Sequence, residues 1–379
     1  MTLNTKFLPT IGIKIRSSFN TARKSNVGFS SCEIMKRVYR NATLEKINNK
    51  IEIKEFPSVE SIKSTGKKGA IIKVIGCGLC GSDIVKIKYF TSANNSTIGH
   101  EVVGEIVEIN SETNFKVGDC VVVAHHVPCF DCIYCKHKNY SMCNNFKKSN
   151  IIPGGFSEYI YLSEAHLKNT VFLKPKNLSV VEASFMEPLA CCVRACKRAD
   201  LMQNDNAMVV GLGSIGFLMS QALNSYNIRV IGVDLIQERV NKLADLNIDN
   251  VLFENDNITS DKIKQMTNGF GVDCVFMTSG AKSALEFALK SVRNGGKIVV
   301  FSSISDDEMG YQNNQIYYRE LTVLGSYSPS PIDLKESLSL LENKNVKVEG
   351  LSSEYSLDNI NQAVLDTINN KIMKAFIKI

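Results

Sequence analysis

The run Val-Val-Gly-Leu-Gly-Ser-Ile-Gly at residues 209–216 restricts the fold of this 379-residue chain more than any other feature. Its spacing is Gly-x-Gly-x-x-Gly, and it lies between an apolar segment typical of a strand and a segment typical of a helix. Gly211 permits a tight turn, Gly213 removes a Cβ from the approach to a phosphate, and Gly216 lets helix and strand pack closely. The run predicts a strand–turn–helix unit that holds the pyrophosphate of a dinucleotide at the helix N-terminus.

The residues around this turn favour NAD over NADP. Ser214 and Ile215 begin the helix, where free N–H groups face the phosphates. Residues 230–233 predict the next strand, and Asp234 ends it. An acid there can bind both ribose hydroxyls and repels a 2′-phosphate. Arg239 lies five residues further on and could bind a 2′-phosphate, so NADP is not fully excluded. The alternative interpretation of residues 209–216 is a glycine-rich turn in an unrelated α/β domain.

The hydrophobic pattern divides the chain into two unlike halves. From Met35 to about residue 170, short β-branched runs punctuated by glycine are typical of an all-β lobe. Ser179 is expected to cap a helix that starts at Val180. From 207 to 324, strands and helices alternate, which predicts βαβ units and a parallel sheet. The predicted divisions are a 1–34 extension, a 35–190 first lobe, a 191–326 dinucleotide-binding domain and a 327–379 C-terminal segment.

Four cysteines in the first half have metal-ligand spacing. Cys129, Cys132, Cys135 and Cys143 form a C-x2-C-x2-C-x7-C run. Four thiolates can close tetrahedrally on one Zn²⁺ and leave no open position, so the predicted site is structural. An iron–sulfur cluster is a lower-ranked alternative, and four unligated thiols in one loop are the remaining one.

A second, mixed set of ligands is more dispersed. Cys80 follows a predicted strand, His100 and Glu101 follow a turn-rich loop, and Glu187 precedes the dinucleotide half. A catalytic zinc site has three protein ligands and one open position, which Cys80, His100 and either Glu101 or Glu187 would supply. Spacing alone does not show that these residues meet.

The other histidines have simpler interpretations. His125 and His126, next to the four cysteines, are expected to be satisfied core residues, and His137 and His166 are expected on the surface.

Composition excludes several classes of function. With 44% hydrophobic and 22% charged residues, the chain is neither disordered nor a fibrous repeat. The net charge is +6, of which residues 1–34 carry +4 (five bases, one acid), so the remaining +2 forms no basic stripe for nucleic acid. No apolar run reaches the ~18 residues of a membrane span. Five of the twelve cysteines stand in metal-like contexts and the other seven show no framework spacing, which fits a reducing cytoplasm better than a disulfide framework.

Residues 1–34 are rich in Ser, Thr and basic residues. This composition is interpreted as a tail, or as a start assigned too early with Met35 as the true start. The alternative is an organellar targeting extension. A secretory signal is not predicted, because no apolar h-region is present.

Taken together, the motifs resemble the zinc-dependent medium-chain dehydrogenases of the alcohol dehydrogenase superfamily. The resemblance rests on Cys-Gly-Ser-Asp (80–83), Gly-His-Glu (99–101), Lys-Val-Gly-Asp (116–119), the four cysteines, Gly-Gly-Phe-Ser-Glu-Tyr (154–159), Glu-Pro-Leu-Ala (187–190) and the glycine run, and covers about 35–379. The Gly-His-Glu and Glu-Pro pair is more similar to the polyol (sorbitol-type) and threonine dehydrogenase branch. The resemblance implies an α/β architecture: a GroES-like β-barrel catalytic domain, a Rossmann domain with a doubly wound parallel sheet, a C-terminal segment that returns to the barrel, and an active site in the cleft between them.

This resemblance also implies roles. Cys80, His100 and Glu101 match the family's zinc ligands, Glu187 matches a residue that ligates directly or through water, and Ser82 matches the hydroxyl that begins proton removal. The implied cofactors are NAD and two Zn²⁺ per chain, and the implied assembly is a dimer or tetramer.

Two departures from the family leave the substrate open. Val85 stands where relatives often carry a histidine of the proton relay, and Lys86 follows it. Lys86 is interpreted as a solvated surface residue, with an anionic substrate group as the alternative. Gly325-Ser326-Tyr327 replaces an Arg-Tyr pair of polyol dehydrogenases. The predicted reaction is hydride transfer from a secondary alcohol, a polyol or sugar alcohol with or without phosphate, to NAD, giving a ketone. The alternatives are a threonine- or aminocyclitol-type dehydrogenase and a non-catalytic zinc- and NAD-binding protein.

Overall fold

The computed structural model describes residues 38–45, 50–56, 59–62, 68–88, 98–302 and 313–379. The interpretations of the 1–34 extension therefore lie outside the described residues.

The described strands and helices follow the halves seen in the sequence. The strands are β1 (Tyr39–Glu45), β2 (Lys50–Phe56), β3 (Gly69–Leu79), β4 (Glu101–Ile109), β5 (Cys120–Val123), β6 (Tyr159–Ser163), β7 (Val171–Leu173), β8 (Asn206–Val210), β9 (Arg229–Asp234), β10 (Asp249–Leu252), β11 (Val272–Met277), β12 (Val292–Val300), β13 (Thr322–Gly325), β14 (Ser352–Ser356) and β15 (Lys374–Lys378). The helices are α1 (Gly81–Lys88), α2 (Ile133–Lys136), α3 (Asn144–Lys148), α4 (Glu164–Asn169), α5 (Val180–Ala183), α6 (Met186–Ala199), α7 (Ser214–Ser225), α8 (Gln237–Ala244), α9 (Asp256–Met266), α10 (Lys282–Ser291), α11 (Asn313–Tyr318), α12 (Pro331–Glu342) and α13 (Ile360–Ile368).

The first lobe is built on one seven-stranded sheet. Its order is β14–β15–β3–β4–β5–β7, with β6 paired to β3, while β1 and β2 form a separate antiparallel hairpin. The long strand β3 is buried along most of its length, which its β-branched residues favour. The chain returns to this sheet at its end, because β15 pairs antiparallel with β3.

The second half is a parallel six-stranded sheet. Its order is β10–β9–β8–β11–β12–β13, so the direction of strand addition reverses between β8 and β11. In such sheets a crevice forms outside the carboxyl ends of the strands at the reversal. The predicted parallel α/β sheet is confirmed, and the glycine run lies at this crevice, directly after β8.

Helix α6 connects the halves through a shared core. Most of its side chains are buried in one cluster that also holds Val103 and Val122 of the first lobe and Val209 and Phe217 of the second. Burial from both sides makes this helix a rigid support for any residue on it.

The helix predicted at Val180 is confirmed as α5. Ser179 accepts a hydrogen bond from Glu182 N (3.1 Å) and donates its own N–H to Glu182 Oε2 (2.7 Å), which is a complete capping box. Lys344 Nζ lies 2.5 Å from Glu182 Oε1 and ties α5 to the segment after α12.

Among the described residues, no helix is both long and apolar enough to cross a membrane.

Candidate functional site

A cavity of about 490 Å³ lies between the two halves and is lined by both. The glycine run contributes Gly211, Gly213 and Gly216, and the first lobe contributes Leu79 and Gly81. Ser214, Ile215, Asp234 and Arg239 also line it. All the residues predicted to bind the cofactor therefore surround one space.

The three glycines differ in what their missing side chains leave free. Gly211 has φ +95°, a left-handed conformation that favours glycine. A Cβ on Gly216 would lie 1.8 Å from Gly211 O, so only glycine lets helix α7 approach the turn. A Cβ on Gly213 would meet no atom within 4 Å. The site thus offers an open backbone cradle at a helix N-terminus, which fits a pyrophosphate.

Asp234 is held at the end of β9 by the loop beside it. Its carboxylate accepts hydrogen bonds from Leu212 N (2.6 Å) and Ile236 N (2.8 Å). Arg239 lies 3.6 Å from the same carboxylate and donates to Asn370 Oδ1 (2.8 Å), across the cavity. An acid and an arginine thus sit together where a ribose would bind.

The four spaced cysteines converge into one cluster, which we call the knuckle. Their sulfur atoms all lie within 4.8 Å of one another, with Sγ–Sγ distances of 3.6 Å (Cys132–Cys135) and 4.0 Å (Cys129–Cys135). A tetrahedral site with Zn–S bonds of ~2.3 Å has sulfur edges of about 3.8 Å, whereas a disulfide needs about 2 Å. The spacing fits a Zn(Cys)₄ site.

Backbone donors favour thiolates at the knuckle, while burial opposes them. Burial opposes ionisation of Cys143, but N–H groups of Cys129, Phe146 and Asn145 outweigh it and lower the pKa of this thiol to about 6. Burial, together with the neighbouring thiol of Cys132, raises the pKa of Cys135 to about 12. Four close thiolates repel one another, so a divalent cation is what allows all four to ionise.

The structure brings Cys80, His100 and Glu101 together. Ligand atoms of these three side chains lie within 4.8 Å of one another, with His100 and Glu101 almost fully buried. Cys80 follows β3, while His100 and Glu101 stand at the start of β4, and the pairing of these two strands fixes the set. A thiol, an imidazole and a carboxylate around one point fit a three-ligand zinc site with an open position. Because Leu79 and Gly81 line the cavity, this cluster adjoins the dinucleotide cleft.

Asp83 orients the imidazole of His100. Its Oδ1 lies 3.3 Å from His100 Nδ1, within ion-pair distance but without hydrogen-bond geometry, and the carboxylate accepts hydrogen bonds from Gly99 N (3.1 Å) and Cys80 N (3.2 Å). Burial opposes the charge of Asp83, but His100 and Lys86 outweigh it and lower the pKa of the carboxyl to about 2. A carboxylate behind a ligating histidine fixes the ring's tautomer and direction.

Glu101 is fixed by a residue from the other end of the chain. Lys374, at the start of β15, lies 2.6 Å from Glu101 Oε2 and 2.8 Å from Oε1, and both side chains are buried. Gly78 is the partner of Glu101 across β3 and β4, and a Cβ on it would lie 1.9 Å from Glu101 Oε2. The carboxylate therefore occupies the space that this glycine leaves.

Glu187 lies near the three-residue cluster but outside its 4.8 Å group. It is buried in the first turn of α6 and accepts a hydrogen bond from Cys191 Sγ (3.7 Å). Burial raises the pKa of Glu187, and the nearby His100 only partly offsets this. As found, Glu187 is a neighbour of the cluster, and a water bridge would be needed to join it to a metal.

The remaining candidates lie on α1. Ser82 is exposed in its first turn, two residues after Cys80, and Val85 is exposed one turn on. Lys86 is partly exposed, and its Nζ lies 3.7 Å from Asp83 Oδ1.

Two expectations for the histidines were wrong: the surface position of His166, and the satisfied core positions of His125 and His126. His166 is buried: its Nε2–H donates to His125 O and Ser149 O (both 3.0 Å), and its Nδ1 pairs with Ser163 Oγ (2.8 Å). His125 and His126 are not satisfied core residues, because within the described ranges the Nδ1 of each is buried without a hydrogen-bond partner.

These two rings connect the two metal-like clusters. The ring centroid of His125 lies 4.6 Å from that of His100, with the two planes tilted by 48°. The ring centroid of His126 lies 3.8 Å from that of His125, and the ring of Phe146, beside the knuckle, lies 4.8 Å from His126. Burial lowers the pKa of both, that of His126 to about 3, so both rings are neutral.

A Rossmann-type sheet, a cradle for a dinucleotide, and a thiol–imidazole–carboxylate cluster at the same cleft define a zinc-type oxidoreductase. The family comparisons agree with this class. Residues 66–172 match the model of the alcohol dehydrogenase GroES-like domain, and residues 214–343 match that of the zinc-binding dehydrogenase.

Curated relatives and solved structures extend the match over most of the chain. Sorbitol dehydrogenase of Halalkalibacterium halodurans is 31% identical over 305 residues, covering 79% of this chain and 88% of that protein. D-arabitol-phosphate dehydrogenase of Enterococcus avium is 28% identical over 318 residues, covering 81% and 89%. The crystal structure of 2R,3R-butanediol dehydrogenase from Bacillus subtilis has a TM-score of 0.76 at 25% identity and covers 90% of this chain and 99% of that chain.

The chain therefore belongs to the zinc-dependent alcohol dehydrogenase family. It is a zinc-binding dehydrogenase, and two Zn²⁺ per chain are the family norm. The predicted GroES-like and Rossmann architecture is confirmed.

Three residues of the site escaped the sequence analysis for different reasons. The role of Asp83 could have been predicted from the sequence, because Asp83 ends the Cys-Gly-Ser-Asp run and lies one helical turn from the cysteine. No sequence feature predicts the contact of Lys374 with Glu101, since the two residues are 273 positions apart. The position of His125 next to the four cysteines is ambiguous, because a buried histidine beside a metal-like motif is more often a core residue.

Proposed function

We propose that this chain oxidises a secondary alcohol of a polyol to a ketone at a zinc ion held by Cys80, His100 and Glu101, with NAD in the adjoining cleft. The observation that carries the proposal is the convergence of these three side chains beside the open backbone at Gly213. A bound zinc ion would supply Lewis-acid catalysis, and NAD would supply the hydride acceptor.

The chain's own residues divide the remaining work. Asp83 holds His100 in its ligating orientation, and Lys374 holds the Glu101 carboxylate in place. Ser82 Oγ, exposed beside Cys80, takes the proton of the substrate hydroxyl and passes it to solvent. Glu187 acts from the edge of the site, through a water. The side chain at residue 85 is an apolar valine, so the histidine step of a relay is absent at that position.

The knuckle is proposed as a structural zinc site. Its four thiolates fill the coordination sphere, and α2 and α3 are too short to hold their loop without a cross-link. Asp234 is proposed to bind the ribose hydroxyls of NAD, with Ser214 and Ile215 at the pyrophosphate, and Arg239 beside the acid is the one feature that would tolerate a 2′-phosphate.

Substrate class follows from the relatives. Those at 26–31% identity include enzymes named for sorbitol, D-arabitol phosphate and erythritol or L-threitol, and we carry the polyol class over to this chain. We further propose the divisions 35–190, 191–326 and 327–379, a homodimer or homotetramer, a cytoplasmic location, and no nucleic-acid or membrane partner.

A substrate panel tests the proposal. Purified zinc-loaded protein is offered polyols, amino alcohols including threonine, and polyol phosphates with NAD or NADP, and reduced cofactor is followed by its absorbance. Oxidation of polyols with NAD is expected. A preference for threonine or an aminocyclitol would contradict the polyol substrate class and leave the proposed oxidation of an alcohol by NAD in place. Absence of turnover with every alcohol, in protein that binds NAD and two zinc ions, would contradict the proposal and favour a binding protein.

A further inference from the structure

A second cavity of about 490 Å³ lies on the same edge of the parallel sheet as the dinucleotide cleft. It is bounded by the knuckle segment, by helix α6 and by the turns that follow β12 and β13. Within the part of the chain that the structure describes, no carboxylate lines it, and its charged side chains are two arginines. The polar side chains of the lining are Asn139, Ser141, Arg194, Arg198, Ser302, Ser326 and Tyr327.

Arg194 is a buried cation with unused hydrogen-bonding capacity. It is only 8% exposed, and its Nε has no partner among the described residues. Its Nη2 donates to Lys138 O (3.3 Å), and its Nη1 lies 3.8 Å from Asp333 Oδ2. The other oxygen of this carboxylate, Oδ1, lies 3.0 Å from Lys197 Nζ. Burial lowers the pKa of Arg194 even with Asp333 nearby, so that carboxylate does not fully compensate the charge.

The opposite wall of the cavity also has a buried donor without a partner and basic side chains nearby. Ser326 Oγ is buried and has no partner in the described ranges. Arg198 is exposed at the mouth and uses its Nε on Gly325 O (2.9 Å), and Lys147 Nζ lies 5.6 Å from the ring of Tyr327. Unsatisfied donors around a space whose described lining holds two arginines and no carboxylate fit an oxyanion, for which arginine provides paired N–H groups.

Helix geometry relates this cavity to the zinc cluster. Glu187 and Arg194 are seven residues apart on α6, which places them on one face of the helix, about 10 Å apart along its axis. Cys191 lies between them and contacts Glu187. The distance from Glu187, at the edge of the zinc cluster, to the guanidinium is therefore about the length of a five- or six-carbon chain that ends in a phosphate.

We propose that this cavity binds the phosphate monoester at the far end of a polyol phosphate. This rests on the proposed function and narrows it: the substrate is a phosphorylated polyol, its secondary hydroxyl lies at the zinc cluster, and its phosphate is held by Arg194 with Ser326 and Arg198.

Matched substrate pairs test this. For D-arabitol and galactitol, each with its terminal phosphate monoester, kcat/KM is measured with NAD. The wild-type protein is expected to favour the phosphorylated member by at least about tenfold. Arg194→Gln is expected to lower that preference by about 10–100-fold, as charge-assisted hydrogen bonds to the phosphate are lost, and Arg194→Lys to lose less. The control Arg229→Gln removes an exposed arginine that pairs with Asp249 and should leave the preference unchanged.

Inorganic phosphate provides a second arm that needs no variant. It should inhibit the wild-type protein competitively against the polyol phosphate. Phosphate that changes the rate without competing would make the cavity an effector site and overturn the substrate assignment. Equal kcat/KM for both members of each pair, or a preference that survives Arg194→Gln, would overturn it too while leaving the dehydrogenase function intact. Absence of turnover with every polyol and polyol phosphate would instead overturn the proposed function.

Discussion

Replacing Lys374 with methionine should destabilise this protein far more than the same change four residues later in strand β15. The Lys374–Glu101 pair joins two buried charges through N–O distances of 2.6 and 2.8 Å. At an effective dielectric of ~20, that separation corresponds to an attraction of about 6 kcal/mol, part of which offsets desolvation. Lys374→Met leaves Glu101 buried without its partner, which costs about 3–5 kcal/mol.

Urea unfolding of chelator-treated protein, in which no zinc ion compensates the charge of Glu101, followed by far-UV circular dichroism, measures this loss. The control is Lys378→Met, on the same strand, where the pairing with Glu354 is exposed to solvent and a loss below about 1 kcal/mol is expected. The double variant Lys374→Met/Glu101→Gln removes both charges and should lose less than the sum of the single variants, by about 2 kcal/mol. Equal losses for the two lysine variants, or strictly additive single changes, would refute the view that Glu101 depends on Lys374.

Three further changes test other parts of the account. Gly78→Ala places a Cβ 1.9 Å from Glu101 Oε2 and should lower bound zinc from two ions to one per chain by elemental analysis, whereas Gly81→Ala, whose Cβ meets nothing within 4 Å, should keep both. Gly213→Ala should leave the melting temperature within about a degree and weaken NAD binding at least about tenfold by calorimetric titration, because its Cβ points into open space where the pyrophosphate is proposed to lie; unchanged affinity would displace the pyrophosphate from this turn. Glu182→Gln should cost about 1 kcal/mol at pH 7, since the folded-state pKa of Glu182 is lowered to about 2 by its lysine partner and its helix cap, despite burial. That stability is present above the ordinary carboxyl pKa and is lost as pH falls towards 2, so wild type and variant should converge in acid.

Motifs that act through the local backbone could be predicted from sequence alone. The glycine run requires a strand, a tight turn and a helix within eight residues, and the capping box of α5 requires only two residues three positions apart, Ser179 and Glu182. The knuckle is similar, because its four cysteines lie within 15 residues and converge without distant help.

Contacts between distant segments could not be predicted in this way. The proximity of Cys80 to His100 depends on the pairing of β3 with β4, and only the resemblance to a family supplied it. Strand β10 and helix α9 have no clear signal in the sequence. Their largely polar sequences (Asp-Asn-Val-Leu and a run with three aspartate or asparagine residues) have weak periodicity, and the surrounding sheet and helices determine their structure.

The histidine errors have one physical cause. Sequence assigns His125 and His166 no partner, since their environment is created by α4 and by the turn before the knuckle. The fold buries His166 against two carbonyl groups and places the ring of His125 against that of His100, so tertiary contacts rather than residue preference determine both environments.

Zinc content of Cys80→Ser, measured together with NAD binding and alcohol oxidation, tests the central claim most directly. Wild type should carry two zinc ions per chain. The variant should carry one, held at the knuckle, bind NAD with affinity within about twofold of wild type, and fail to oxidise any alcohol. Two retained zinc ions, or unchanged turnover with one, would show that Cys80, His100 and Glu101 do not hold the catalytic metal.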